Sequence, residues 1–226
     1  MSVSATFQQA PPASRRLAWM ALFGISFGYL EAAVVIYLRR LYYPDGFQFP
    51  LAIPEVQLGV IEVVRELTTL LMILSVAGLA ARTAWGRFGA FAYLFGVWDL
   101  VFYVTLKIAI DWPPSLSTWD VLFLISGVWT GPVWSAAVVA VFLTLFGAWI
   151  VRADEQGHRP VPRPIDWIGA VISLLLLLAA FLWNDSPVSR GEVPRWFPWP
   201  VWLGGVAVGL ATFVRLFVVV PRQVRD

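Results

Sequence analysis

Glu31, Glu62, Arg65, Glu66 and Asp99 lie inside apolar stretches long enough to cross a membrane, and Lys107 lies near the end of one. An ionisable group in hydrocarbon costs roughly 2.5–3.5 kcal/mol on insertion scales, so such residues are paired, protonated, metal-bound or turned toward a water-filled cavity. Carboxyl groups of this kind act as general acids, general bases or proton relays, and an arginine among them clamps an anion or stabilises developing charge. Glu31, Glu66, Asp99 and Arg65 are therefore the candidate catalytic groups. Glu62, Trp98, Tyr103, Lys107, Asp120 and Trp129 are the candidate ligand contacts.

The spacing makes these residues converge. Residues three and four apart share a helix face, which puts Glu62, Arg65, Glu66 and Thr69 on one polar face and Asp99, Tyr103 and Lys107 on another. Gly24 and Gly28 form a small-xxx-small surface of the kind that admits a close neighbour, and Glu31 continues that face toward a second helix and away from lipid. Glu31, Glu62, Glu66 and Asp99 set against Arg65 and Lys107 leave a formal excess of two negative charges. Bound cation, shared protons, a partner's cations or water must offset it. The competing, purely structural arrangement has Arg65 bridging Glu62 and Glu66 while Asp99 pairs with Lys107.

The elements that must position these groups are membrane spans. Of the 226 residues 59% are apolar and only 13% charged, against roughly 25% charged in soluble domains. A span needs about 20 mostly apolar residues. Six segments qualify: Leu17–Leu38, Gln57–Ala80, Phe88–Ile110, Pro132–Val151, Ile165–Trp183 and Val201–Val220. The expected fold is an all-α polytopic bundle with a single transmembrane domain over 17–220, a disordered tail over 1–16 and a short C-terminal tail over 221–226. The apolar run 121–131 ends in Thr130-Gly131-Pro132, where glycine and proline interrupt a helix, and reads as a short re-entrant or interfacial helix. One long kinked helix from Val121 to Val151 is the competing reading.

Arginines set the orientation. Arg15, Arg16, Arg82, Arg87, Arg152, Arg159, Arg163, Arg222 and Arg225 fall on one side of the six spans, and Arg39, Arg40, Arg190 and Arg195 on the other. The positive-inside rule then makes both termini cytoplasmic, in an inner (plasma) membrane, with the charge cluster in the outer half. Trp19, Trp85, Trp112, Trp149, Trp167 and Trp183 are among ten tryptophans at or just beyond span ends, as interfacial anchoring requires. Trp98, Trp129 and Trp134 are the exceptions and are candidates for lining a pocket.

Several chemistries are excluded. Cysteine is absent and histidine occurs once, at His158, which removes thiolate catalysis, disulfides, zinc-hydrolase and di-iron motifs, and haem held by two histidines of this chain. No cofactor is identified, although an all-oxygen Mg²⁺ or Ca²⁺ site is compatible with carboxylate chemistry. Glycine-rich phosphate loops and nucleophile elbows are missing, and no basic patch calls for nucleic acid. The favoured function is a polar pocket at the outer side that binds a membrane lipid or lipophilic small molecule and acts by acid–base chemistry. The alternatives are a non-catalytic subunit of a larger respiratory or photosynthetic membrane complex, with Gly205-x-x-x-Gly209 as a partner or homo-oligomer contact, and a small proton-coupled transporter.

Overall fold

A computed structural model describes residues 12–51 and 56–219. Six long helices alternate in direction: α1 (Ala13–Tyr42), α2 (Val56–Ala80), α3 (Ala84–Ile110), α4 (Val133–Glu155), α5 (Pro164–Phe181) and α7 (Trp199–Val214), the last extended by a π-helical turn over Arg215–Val219. A short helix α6 (Asp185–Ser189) lies between α5 and α7, and strands β1 (Trp119–Phe123) and β2 (Trp129–Pro132) lie between α3 and α4. The chain is an all-α bundle. Five helices, those beginning at Ala13, Ala84, Val133, Pro164 and Trp199, are long and apolar enough to cross a membrane. α2, at 25 residues, matches them in length but carries Glu62, Arg65 and Glu66. The outward faces expose large apolar side chains such as Leu22, Leu67, Leu79, Ile108, Leu174 and Leu203, as a protein whose solvent is lipid must.

The helix ends follow local chemistry. Thr83 caps α3 by accepting the Gly86 N–H at 2.9 Å, and Asp111 ends the helix in the left-handed region at φ 51°. Pro164 opens α5, where Asp166 accepts the Arg163 N–H at 2.7 Å. α1 begins at Ala13, ahead of the expected Leu17, and its first N–H donates to Glu155 at the end of α4 at 2.7 Å. Residues 1–11 and 220–226, which include most of the expected tails, lie outside the described residues.

Close packing is set by small residues. A Cβ on Gly28 would stand 2.6 Å from the Trp98 carbonyl oxygen, so only glycine lets α1 approach α3 at that level. Gly96 lies against Ala140 and Thr144 of α4 in the same way. Gly205 and Gly209 face Leu177 and Ser173 of α5, and Ser173 donates to the Gly205 carbonyl at 2.8 Å. That glycine face is thus used within the chain.

The segment 121–131 is a correction to the sequence reading. It forms an antiparallel hairpin, with Trp119 opposite Pro132, Asp120 opposite Gly131 and Val121 opposite Thr130, and with a bulge between Val121 and Phe123. Neither a short helix nor a kinked continuation of α4 exists there. The segment is rich in β-branched and aromatic residues, and Ser126 and Gly127 take positive φ at the tip, which favours a hairpin over a helix turn. Non-helical backbone at this depth needs protein partners, and it has them. Leu124 N–H donates to Glu66 at 2.8 Å, Val128 N–H to Asp185 at 2.7 Å, and Val133 N–H to the Thr118 carbonyl at 2.9 Å.

Candidate functional site

α1, α2, α3 and β1 enclose a cavity of about 70 Å³ at the hairpin end of the bundle. Each element contributes one stripe. Glu31, Val35 and Arg39 are spaced by four on α1, Arg65, Glu66 and Thr69 come from α2, Trp98, Asp99, Phe102 and Tyr103 from α3, and Val121, Leu122 and Phe123 from β1. The four candidate catalytic groups Glu31, Arg65, Glu66 and Asp99 therefore share one cavity.

Arg65 organises the α2 side. It ion-pairs with Glu31 across the helix interface and with Glu62 one turn away, at 2.8 Å from Nη2 and 3.0 Å from Nε. The hydroxyl of Thr69 donates to the second Glu31 oxygen at 3.1 Å. Glu66, also buried, instead accepts the Leu124 N–H and so ties α2 to the hairpin. The structural pairing expected from sequence, Arg65 between Glu62 and Glu66, is replaced by Arg65 between Glu62 and Glu31.

A second cluster closes the opposite wall. Arg39 donates to Asp120 at 2.8 Å, and its guanidinium lies 3.7 Å from the Trp112 ring centroid and 4.4 Å from that of Phe47. The Tyr103 hydroxyl donates to the other Asp120 oxygen over a long 3.3 Å. Burial pushes the Asp120 carboxyl up from the ordinary aspartate range, and Arg39, the Val121 N–H and Tyr103 pull it back. Asp120 is 1% exposed, so it belongs to the interior and is not a loop residue outside the bundle.

Asp99 differs from all of these. It is half-buried and lines the cavity, and no cation or hydrogen-bond donor of the described residues reaches its carboxyl group. The expected Lys107 partner turns away: Lys107 pairs with Asp111 at 2.6 Å and donates to the Pro113 carbonyl at 3.1 Å, with half its side chain exposed. That hydrogen bond, and then the lysine charge, hold Asp111 below the usual aspartate range.

The remaining candidates are placed as follows. Trp98 and Tyr103 line the cavity. Glu62 lies behind the wall and acts on it through Arg65. Trp129 stacks on Phe181 at 6.3 Å and donates to the Ile125 carbonyl at 2.9 Å, which makes it part of the packing between hairpin and α5. Arg39 is the residue that sequence reasoning missed, because the first span was ended at Leu38 and Arg39 assigned to a loop. Its position eight residues after Glu31 was the available signal, since a helix continued by one turn puts both on one stripe. Among the described residues no three acidic or imidazole side chains are grouped so as to hold a metal ion. Comparison of the chain with protein-family models, curated proteins and solved structures finds no match.

Proposed function

We propose that this chain is an inner-membrane protein that binds a lipid-soluble or amphipathic ligand at the hairpin end and acts on it by acid–base chemistry through Glu66 and Asp99. The observation that carries the reading is the meeting, in one cavity fed by three helices and a hairpin, of carboxyl groups that outnumber their cations. Three carboxyl groups, Glu31, Glu66 and Asp99, line the cavity with two guanidinium groups, Arg39 and Arg65, and each guanidinium is also paired with a carboxyl behind the wall, Asp120 and Glu62. A scaffold gains nothing from a surplus of buried charge, whereas a proton donor or acceptor needs a carboxyl that no fixed cation neutralises. Asp99 is such a group. In this reading Arg65 stabilises charge that develops on the ligand, and Tyr103 joins Asp99 to Asp120 as a relay.

The cavity itself is tested by filling it. Val35→Phe puts a ring into the 70 Å³ space and is expected to abolish co-purification of a small amphiphile, seen by native mass spectrometry, while the helical circular dichroism stays intact. A ligand retained at the wild-type level would place binding elsewhere. Both termini are taken as cytoplasmic from the arginine asymmetry. A cysteine at the exposed Ser189 should then label with an impermeant thiol reagent in intact cells, and one at Gln156 should not; the reverse pattern would invert the protein.

A further inference from the structure

We infer that the ligand's reacting end is an ammonium group with an oxygen acceptor beside it, carried on a lipid-soluble chain. This rests on the cavity being the ligand site. Arg65 contacts Glu31 and Glu62, and Arg39 contacts Asp120, so three of the five carboxyl groups have a cation within the protein. The two without an ion pair among the described residues, Glu66 and Asp99, both lie in the cavity wall, Glu66 within electrostatic reach of Arg65 and Asp99 with no cation near it. A ligand bringing its own positive charge completes the cluster, whereas an anionic one would be repelled by the same surplus.

The walls suit that charge. Trp98, Phe102, Tyr103 and Phe123 surround the cavity with aromatic rings, and ring faces attract organic cations most strongly where water is excluded. A metal ion is the poorer occupant, because among the described residues no three metal-ligating side chains converge, while an ammonium group is satisfied by two carboxyl groups and aromatic faces. The oxygen follows from two donors. Trp98 at 5% exposure and Arg39 at 9% both line the cavity, and Trp98 Nε1 and Arg39 Nη1 find no acceptor among the described residues. Buried donors without a partner are costly, and an oxygen on the ligand supplies one. At about 30 Å³ per water the 70 Å³ space has room for about two, which fits a small headgroup and leaves the hydrocarbon chain among lipids.

The test is thermal unfolding of the full chain in neutral maltoside micelles doped with N-dodecylethanolamine, dodecanol or dodecyl phosphate, with free ethanolamine as a soluble control. At about a hundred times its dissociation constant the long-chain amine should raise Tm by about 5 °C. In Glu66→Gln and in Asp99→Asn the rise should fall below about 1 °C, and dodecanol and dodecyl phosphate should give none in the parent. Should Asp99→Asn fail to fold, Glu66→Gln carries the comparison. An equal rise with dodecanol, a larger one with dodecyl phosphate, or a full rise with the amine in both variants overturns the ammonium assignment. If the dodecanol rise is lost in Val35→Phe, the cavity remains a ligand site and only the charge assignment falls. No rise with any amphiphile overturns both. A full rise with ethanolamine alone would retain the ammonium group and overturn the lipid-soluble chain.

Discussion

At the end of the bundle where α1 begins, Asp154 pairs with Arg159 at 2.8 Å and Asp166 with Arg215 at 2.6 Å, and each arginine leaves a third or more of its side chain exposed. At the hairpin end, Glu31, Glu62 and Asp120 share Arg65 and Arg39, and Glu66 and Asp99 form no ion pair among the described residues. Both ends bury acidic side chains, and at the hairpin end they stand around a cavity. One-to-one pairs whose cation reaches the boundary region tie loops and helix ends together, as Asp154 does for the α4–α5 turn and Asp166 for α7. Glu66 does tie α2 to the hairpin through the Leu124 N–H, but tying does not account for Asp99, which adds desolvation and repulsion without adding a link. The contrast is what supports the proposed site at the hairpin end.

The largest effect expected from this contrast is at Arg65. Arg65→Leu leaves Glu31 and Glu62 without a cation, and stranding buried charge costs roughly 3–5 kcal/mol. Glu66→Gln keeps a carbonyl oxygen for the Leu124 N–H and removes one negative charge from the surplus, so its cost should stay below about 1 kcal/mol. Denaturant or thermal unfolding of the two purified variants measures the difference. Equal losses would mean that Glu66 is as much scaffold as Arg65, and the comparison between the ends would collapse.

An intermediate-to-small effect is expected at the other end. Arg159 has half its side chain exposed, and pairs of that exposure contribute about 0–1 kcal/mol. Arg159→Ala should therefore lower stability by no more than about 1 kcal/mol, well short of Arg65→Leu, in the same unfolding assay. A loss matching Arg65→Leu would show that the two ends bury charge alike.

Much of this arrangement is legible in the sequence because membranes enforce simple rules. Length and apolarity fix the long helices, and helical spacing puts Glu62 beside Arg65 at i, i+3 and Asp99 beside Tyr103 at i, i+4. The glycines of α1 point Glu31 at a neighbour, and it does face α2 through Arg65 and Thr69. What spacing cannot give is the partner across an interface. Two arginine donors and several acids permit many pairings, and the choice of Glu31 over Glu66 depends on the hairpin, whose Leu124 N–H takes Glu66. The hairpin was itself hidden, since an apolar run ending in Gly131-Pro132 has the same composition as an interrupted helix. Arg39 was hidden by hydropathy, because a charged residue ends an apolar window even where the helix continues, here to Tyr42.

The smallest effect concerns pH, and it sets Asp120 against Asp111, two aspartates nine residues apart with opposite environments. Burial raises the Asp120 carboxyl above its unfolded value, so between the two values the folded chain binds more protons than the unfolded one. The stability from that source is fully present below the unfolded value, near 3.9, and is lost as pH rises through the folded one. Asp111 is lowered by its hydrogen bond from Lys107 and by the lysine charge. Its contribution is present above the unfolded value and is lost as pH falls through the folded value. Because Asp111 is open to solvent, that contribution is screened and small. Asp120→Asn should therefore flatten the decline in Tm on going from about pH 4 toward neutrality, and Asp111→Asn should leave that slope unchanged while slightly lowering Tm at neutral pH. Identical slopes for Asp120→Asn and the parent would mean that Asp120 titrates as an ordinary solvated aspartate, in which case the wall formed by Arg39, Tyr103 and Asp120 is open to water and the cavity is wider than its lining implies.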